Sequence, residues 1–356
     1  MADGVPSTGS ERYDLSHVSP ENVGLELTPP ELLKIRRRRR GSKFAYLDER
    51  GKRIRNEKTL SRIAALAIPP AYRNVRISAN PKAHLQAIGR DEAGREQRRF
   101  HADWEKVRET RKAARLCELV TALPRLRSAV RRDLSLRKLE KAKAVACAVA
   151  LIDAAHIRVG EEAYLNSSGA RGAATLLKRQ ATIGRSRITL SFQGKGGAKV
   201  ECGVECSMLA RALGRIASLP GRRLLQYRDE QGAIRPVQAR DVNNYLKAAS
   251  GISVSAKDLR MLAASAAAAG LLSELDPGEN ELARRRQIAA VMRDVSEDLG
   301  NTPTVARKSY VHDIVLDAFE VGELRELRRK CRAGRARSRE ENLLRELVGS
   351  LLPPAK

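Results

Sequence analysis

The stretch Gly300-Asn301-Thr302-Pro303-Thr304-Val305-Ala306-Arg307-Lys308-Ser309-Tyr310-Val311-His312 sets one tyrosine behind a cluster of cations. Thr302 followed by Pro303 reads as an N-cap and first helical position, because proline has no N–H to lose there. The pattern predicts a helix over 303–319 that carries Tyr310 two turns in, on the side of its start, with Arg307 and Lys308 close by. A free phenol titrates at about pH 10, so a field of cations is one way to make it a usable nucleophile. Taken alone, the stretch equally describes a core tyrosine on an amphipathic helix. The rest of the chain has to decide.

That chain has 356 residues, with 68 Lys and Arg against 42 Asp and Glu and a formal charge of +26. The length allows two domains with real cores. A basic excess this large points to a polyanion, because neutralised phosphates release counterions. Aromatics make up only 3% of the residues, too few for a surface that stacks many unpaired bases. Duplex DNA held through its backbone fits better. The cysteines Cys117, Cys147, Cys202, Cys206 and Cys331 make neither a disulfide framework nor a zinc pattern, and Cys202-x-x-x-Cys206 reads as small core residues. With a polar N-terminus and no apolar run of spanning length, a cytoplasmic, nucleoid-associated protein without membrane contact is expected.

Residues 1–34, rich in Ser, Pro, Gly and acids, read as a flexible arm. Arg36-Arg37-Arg38-Arg39-Arg40 reads either as a solvated charge run or as a phosphate contact. From 35 to 104, short alternating pieces are divided by turn signals, including Arg90-Asp91-Glu92-Ala93-Gly94-Arg95, and a short helix over 60–66 stops at Ile68-Pro69-Pro70. This is a small β-rich domain. From 105 to 320 helical patterns dominate, over 105–123, 125–157, 207–217, 238–249, 256–274, 280–299 and 303–319. Leu139 to Ile152 is apolar enough to be a buried helix. Ile188, Leu190 and Phe192 alternate as a strand that turns at 194–197 and returns over 200–204. Residues 321–356 read as a basic helical tail.

Several cations stand where such a framework could bring them together. Arg158 emerges as the buried helix ends near Gly160, suited to an anion site or to a salt bridge with Glu161 or Glu162. Lys195 sits at the hairpin tip, where turn lysines are mostly solvated but can also be delivered into a groove. Lys257 and Arg260 share a face at the start of an Ala-rich helix, whose dipole adds to their charge. In chain order the set is Arg, Lys, Lys-x-x-Arg, Asn, Tyr.

That ordered set resembles the type IB DNA topoisomerases, in particular their short bacterial members that look like the poxvirus enzyme. The match rests on His156-Ile157-Arg158-Val159-Gly160, Phe192-Gln193-Gly194-Lys195, Ala256-Lys257-Asp258-Leu259-Arg260, and Gly300 to Pro303 with Lys308 to Val311. Ala67-Ile68-Pro69-Pro70-Ala71-Tyr72 and Gly89-Arg90-Asp91 through Gly94-Arg95-Glu96-Gln97 support it in the β region. The resemblance implies an α+β architecture, with a β-rich lobe and a larger, mainly helical catalytic lobe of the topoisomerase IB/tyrosine recombinase type forming a clamp around double-stranded DNA. It implies Tyr310 as the nucleophile that becomes linked to a 3′ phosphate, and Arg158 and Arg260 on the non-bridging oxygens. Lys195 would be the general acid toward the 5′ oxygen, with Lys257 in support. Tyr72, Gln97, Arg98, Arg307 and Lys308 are the implied DNA contacts. Relaxation by this chemistry needs no ATP, metal or other cofactor, and a monomer suffices. No phosphate-binding Gly-rich loop and no acidic metal cluster is legible in the chain.

There are two departures from the poxvirus pattern. Asn301 stands where the poxvirus and nuclear enzymes have His, although Asn is usual in the bacterial branch; it can offer an N–H to a phosphoryl oxygen but exchanges no proton. Arg98 and Phe100 stand where relatives carry more tyrosine. Two other readings compete. A tyrosine recombinase shares the Arg/Lys/Arg/Tyr logic but typically has His at the place of Lys257, and a non-catalytic DNA-binding protein predicts nothing about four ordered motifs.

Overall fold

The computed structural model describes residues 21–349, which fall into two units, 21–112 and 113–349. The first is built on a five-stranded antiparallel sheet, spatial order β2-β1-β3-β4-β5, from β1 (Ile35–Arg40), β2 (Lys43–Leu47), β3 (Arg73–Ile77), β4 (Leu85–Arg90) and β5 (Glu96–Phe100). The arginine run is therefore a strand. Its Ile35 is buried, and Arg37 lies over the Phe44 ring at 4.2 Å while donating to the carbonyls of Ile68, Pro69 and Tyr72. Strand alternation turns Arg36 and Arg38 to the other face.

Helix α1 (Glu57–Ala65) starts at Asn56, whose side chain accepts from the Thr59 N–H, and it buries Ile63 against Ile35, Val75, Ile77 and Ala87. The stretch 21–34, expected as part of a flexible arm, is instead tied down by its apolar residues. Leu25 packs with Trp104 and Val107, and Leu33 with Leu85 and Ile88. The remainder of that expected arm, 1–20, lies outside the described residues, as does the tail beyond 349.

Helix α2 (Ala102–Leu134) contains the division between the units, at Lys112/Ala113. It runs through Pro124, where the sequence suggested a break; Leu119, Val120, Leu123 and Leu126 around it are at most 1% exposed, and that burial outweighs the lost ladder bond. Helix α3 (Lys141–Ala155) is buried on nearly every side and forms the axis of the second unit. It ends at His156, which takes the left-handed conformation (φ 52°), rather than at Gly160.

After α4 (Glu162–Ser168) come β6 (Ala181–Ile183), β7 (Arg187–Gln193) and β8 (Lys199–Glu205), a three-stranded antiparallel sheet whose alternation buries Ile188, Leu190 and Phe192 as read from the sequence. Helix α5 (Ser207–Ala217), the pair β9 (Gln226–Arg228) and β10 (Ile234–Pro236), and α6 (Ala239–Ser250) lead to α7 (Ala256–Leu272). Small residues let neighbours approach α7 closely: a Cβ on Gly270 would meet the Glu340 side chain at 2.6 Å.

Helix α8 (Glu281–Leu299) ends at Gly300 with φ 58°, a left-handed cap that glycine adopts at little cost. The single helix expected over 303–319 is two, α9 (Pro303–Ser309) and α10 (Asp313–Glu320), with Tyr310 to His312 between them. Thr302 does cap α9, and Pro303 is its first residue. The expected tail is core rather than extension. Helix α11 (Glu323–Lys330) buries Leu324, and α12 (Arg339–Gly349) packs on α7 with Leu343, Leu344, Leu347 and Val348 buried. Arg127 joins α2 to Asp153 of α3 at 2.8 Å and to Glu341 of α12 at 2.7 Å. Among the described residues no helix is long and apolar enough to cross a membrane.

Candidate active site

Arg158, Lys195, Lys257, Arg260 and Tyr310, spread over 153 positions of sequence (158 to 310 inclusive), line one cleft of about 380 Å³ in the second unit. Each reaches it by a separate device. Arg158 follows the left-handed turn at His156, and its backbone is locked from below: its carbonyl accepts from Ala173 N–H at 2.9 Å and the Val159 carbonyl accepts from Ala174 N–H at 2.7 Å. Two glycines permit that contact. A Cβ on Gly172 would fall 2.3 Å from the Arg158 oxygen, and one on Gly160 (φ 78°) would meet Thr175 Oγ1 at 2.6 Å. The Gly160 that the sequence suggested as a helix cap thus serves close approach.

The two arginines are aimed by the end of α8. Arg260, 2% exposed, donates to the Leu299 carbonyl at 2.9 Å; Arg158 donates to the Gly300 carbonyl at 3.3 Å and to Asn301 Oδ1. Helix-terminal carbonyls carry partial negative charge, so they orient guanidinium groups without cancelling them. Arg260 Nε and Nη1 and Asn301 Nδ2 are buried and have no hydrogen-bond partner among the described residues. Three donors are left over, and leaving a buried donor unpaired is costly unless an acceptor arrives. Among the described residues Arg260 does not salt-bridge to any carboxylate, and Arg158 does not take Glu161 or Glu162; Glu162 pairs with Arg223.

Tyr310 is half-buried at the end of α9, off the helix (φ −128°, ψ −43°), with its ring centre 5.1 Å from the Arg260 guanidinium carbon. Burial alone would push its phenol up, but the charge of Arg260 and the contact with it, then Arg158 and Lys257, outweigh that and hold it below its ordinary value. Burial in turn lowers the Arg260 guanidinium, with Tyr310 opposing and Arg158 adding to the shift. Lys195 is exposed at the β7–β8 tip, between Gly194 and two glycines at φ 74° and 80°, and its ammonium lies 6.0 Å from the Tyr164 ring centre. Lys257 is exposed at the start of α7, where the Asp258 carboxylate accepts from the Ser255 N–H at 2.8 Å and from its hydroxyl at 2.7 Å. Asn301 touches the group through Arg158 but does not line the cleft.

Of the other expected contacts, Arg307 is ion-paired with Asp313 and Lys308 is exposed. Tyr72, Gln97 and Arg98 belong to the first unit. Tyr72 packs against its core, Gln97 donates to Asp91 at 2.9 Å, and exposed Arg98 pairs with Glu96 at 2.9 Å. One feature of that unit was not legible in the sequence. Arg36 stands opposite Arg76, Arg76 opposite Ile88, and Ile88 opposite Arg98, so three arginines share one row across the sheet. Like charges placed directly opposite destabilise a sheet, and a bound polyanion would reverse the sign.

Sequence reading also missed Tyr164 and Arg171, which line the cleft, and Ser265 behind it. Arg171 bridges the hairpin to the Arg158 segment, its N–H donating to the Gln193 carbonyl at 2.9 Å. A lone hydroxyl in an Ala-rich helix was the one available signal for Ser265. Among the described residues no group of three or more His, Cys, Asp or Glu is arranged to hold a metal ion. All five cysteines are free; Cys117, Cys147 and Cys331 are buried, while Cys202 and Cys206 are only half-buried rather than core.

Comparison with known proteins identifies the family. The sequence profile of the bacterial DNA topoisomerase IB N-terminal domain matches residues 43–91, and that of the eukaryotic DNA topoisomerase I catalytic core matches residues 98–333. DNA topoisomerase 1B of Acanthamoeba polyphaga mimivirus is 30% identical over 293 residues, covering 80% of this chain and 87% of the viral protein. With its α+β architecture and a profile match over most of its length, the chain belongs to the type IB DNA topoisomerase family, enzymes that act as isomerases on DNA.

Proposed function

We propose that the protein relaxes supercoiled duplex DNA by cutting one strand transiently and resealing it through Tyr310. The observation that carries this reading is the pairing of a phenol held below its ordinary value with a buried guanidinium that has two donors to spare. In the forward step Tyr310 Oη attacks a backbone phosphorus, the P–O5′ bond breaks, and a 3′-phosphotyrosine and a 5′ hydroxyl result. The phenol proton passes to solvent water as attack proceeds, and Lys195 supplies a proton to the departing 5′ oxygen. Arg158 and Arg260 hold the non-bridging oxygens as charge builds in the pentacoordinate transition state, a task for planar, permanently charged forks. Asn301 Nδ2 adds one neutral hydrogen bond. Lys257 supports Lys195 and adds positive charge.

The phosphotyrosine keeps the energy of the ester it replaced, so the reverse step reseals the strand without ATP. The four cations and the asparagine supply the electrostatic stabilisation, so the chemistry runs without a divalent metal. DNA binding draws on the arginine row of the first unit, on Tyr72 and Gln97, and on Arg307 and Lys308 beside the nucleophile. Backbone contacts of this kind position the duplex and carry no base code. One chain is sufficient, working at the nucleoid.

Relaxation of supercoiled plasmid in EDTA without ATP tests the reading. Wild type should relax the plasmid and Tyr310→Phe should not. Relaxation that survives the substitution would assign the chemistry to another nucleophile, and a requirement for magnesium or ATP would remove the metal-free mechanism.

A further inference from the structure

Helix α7 is lined with buried alanines, and in its middle sits one hydroxyl, Ser265, 0% exposed. A serine buried at a helix ordinarily bonds back to a carbonyl of the preceding turn. Ser250, Ser273 and Ser296 all do so, at 2.6 Å to Leu246, 2.6 Å to Gly270 and 2.8 Å to Arg293. Ser265 reaches out of its helix instead. Its Oγ donates to the Tyr310 carbonyl at 3.2 Å and accepts from the His312 N–H at 3.1 Å.

The place it reaches is where regular structure stops. Helix α9 ends at Ser309 and α10 begins at Asp313, so Tyr310 to His312 form the junction between two helices. The N–H groups of Tyr310 and Val311 share one acceptor, the Ala306 carbonyl, at 3.0 and 2.9 Å. Ser265 serves both the Tyr310 carbonyl and the His312 N–H. Five residues earlier on α7, Arg260 sends its guanidinium to the Tyr310 ring. One rigid helix therefore grips the tyrosine at both ends, main chain and ring.

We infer that Ser265 is a positioning residue for strand cleavage, its hydroxyl fixing the main chain of Tyr310 to the helix that carries Arg260. The inference rests on Tyr310 being the nucleophile. Attack requires the phenol oxygen, the phosphorus and the leaving oxygen in line, and a displacement of about 1 Å can cost on the order of 100-fold in rate. A tyrosine at a frayed helix end has that freedom unless its backbone is held.

The test uses Ser265→Ala with the isosteric pair Ser265→Thr and Ser265→Val, beside Tyr310→Phe. Covalent complex formation on a duplex oligonucleotide is followed under single-turnover conditions across a pH series, with DNA affinity and thermal melting measured on the same proteins. Ser265→Ala and Ser265→Val should cleave roughly 10- to 100-fold more slowly with DNA affinity unchanged. The pH midpoint of their rate should move upward as the phenol drifts from Arg260, and Ser265→Thr should recover most of the rate lost by Ser265→Val. Should Ser265→Ala unfold below the assay temperature, the Thr/Val comparison at equal folded fraction decides. Ser265→Ala cleaving like wild type, or Thr and Val equally slow with an unmoved midpoint, would overturn the inference and leave only packing. Absence of any covalent complex in wild type would instead bring down the cleavage reading itself.

Discussion

Arg260→Ala tests the electrostatics of the cleft most severely. In the structure the guanidinium is 2% exposed, spends one donor on the Leu299 carbonyl at 2.9 Å, and keeps Nε and Nη1 unpaired. If both spare donors meet phosphoryl oxygens in the transition state, two charge-assisted hydrogen bonds are lost, each about 1.5–3 kcal/mol. The sum, about 3–6 kcal/mol, corresponds to roughly 10²- to 10⁴-fold in cleavage rate. A second signature follows from the phenol. Arg260 is the largest of the influences that hold Tyr310 below its ordinary value, against burial, so removing it returns the phenol upward. Ionisation, and with it the rise of rate with pH, then shifts to higher pH in the variant. Single-turnover covalent complex formation across a pH series reads both effects, with a thermal melt to verify folding. Arg260→Lys, which keeps charge but loses the fork, should fall between the two. A folded Arg260→Ala protein that cleaves within about threefold of wild type, far above the loss of about 100-fold typical for one such donor, would refute the assignment.

Lys195→Ala should slow cleavage of an ordinary phosphodiester by about 10²- to 10⁴-fold, the usual reach of general acid catalysis. The defect should shrink sharply on a substrate with a bridging 5′ sulfur, whose thiolate leaves without a proton; an equal defect on both substrates would remove Lys195 from that role. Ending the chain after Lys330 deletes α12 and with it buried Leu343, Leu344, Leu347 and Val348. At about 1.5–3 kcal/mol per side chain, the loss of about 6–12 kcal/mol matches the whole stability of a typical domain, so the truncated protein should not fold by circular dichroism. A truncated protein that melts like the full chain would contradict the integration of the tail. Arg98→Ala should weaken DNA binding and reduce the slope of log affinity against log salt by about one, uniformly across sequences. An unchanged slope would place the arginine row away from the phosphates.

The cluster proposed as catalytic was legible because the chemistry the resemblance implies needs fixed residue types in a fixed order, and each member sits at a punctuation mark: a helix end, a hairpin tip, a helix start, a proline-led turn. Helix and strand periods gave most of the second unit for the same reason. Other features depended on partners distant in sequence. Five consecutive arginines carry no apolar alternation, yet β1 forms because β2 and β3 flank it and Arg37 finds three carbonyls and an aromatic ring. Pro124 looked like a break, but tertiary burial on both sides carries α2 through it. The stretch 21–34 looked mobile and the tail looked like a separate helical extension because their few leucines are separated by polar residues, and only the structure supplies the surfaces they fill. Ser265 left only a lone hydroxyl as its signal for a related reason: its two partners lie 45 and 47 positions away.

The account turns on Tyr310 becoming bonded to DNA, and that bond can be isolated. A duplex oligonucleotide whose short downstream fragment, the one bearing the new 5′ hydroxyl, dissociates after cutting should trap the protein on the 3′ phosphate of the upstream strand, in EDTA and without ATP. Proteolysis and mass spectrometry should then find the peptide containing Tyr310 carrying a 3′-phosphoryl nucleotide, and Tyr310→Phe should give none. An adduct on another residue, or one joined to a 5′ phosphate, would contradict the central claim.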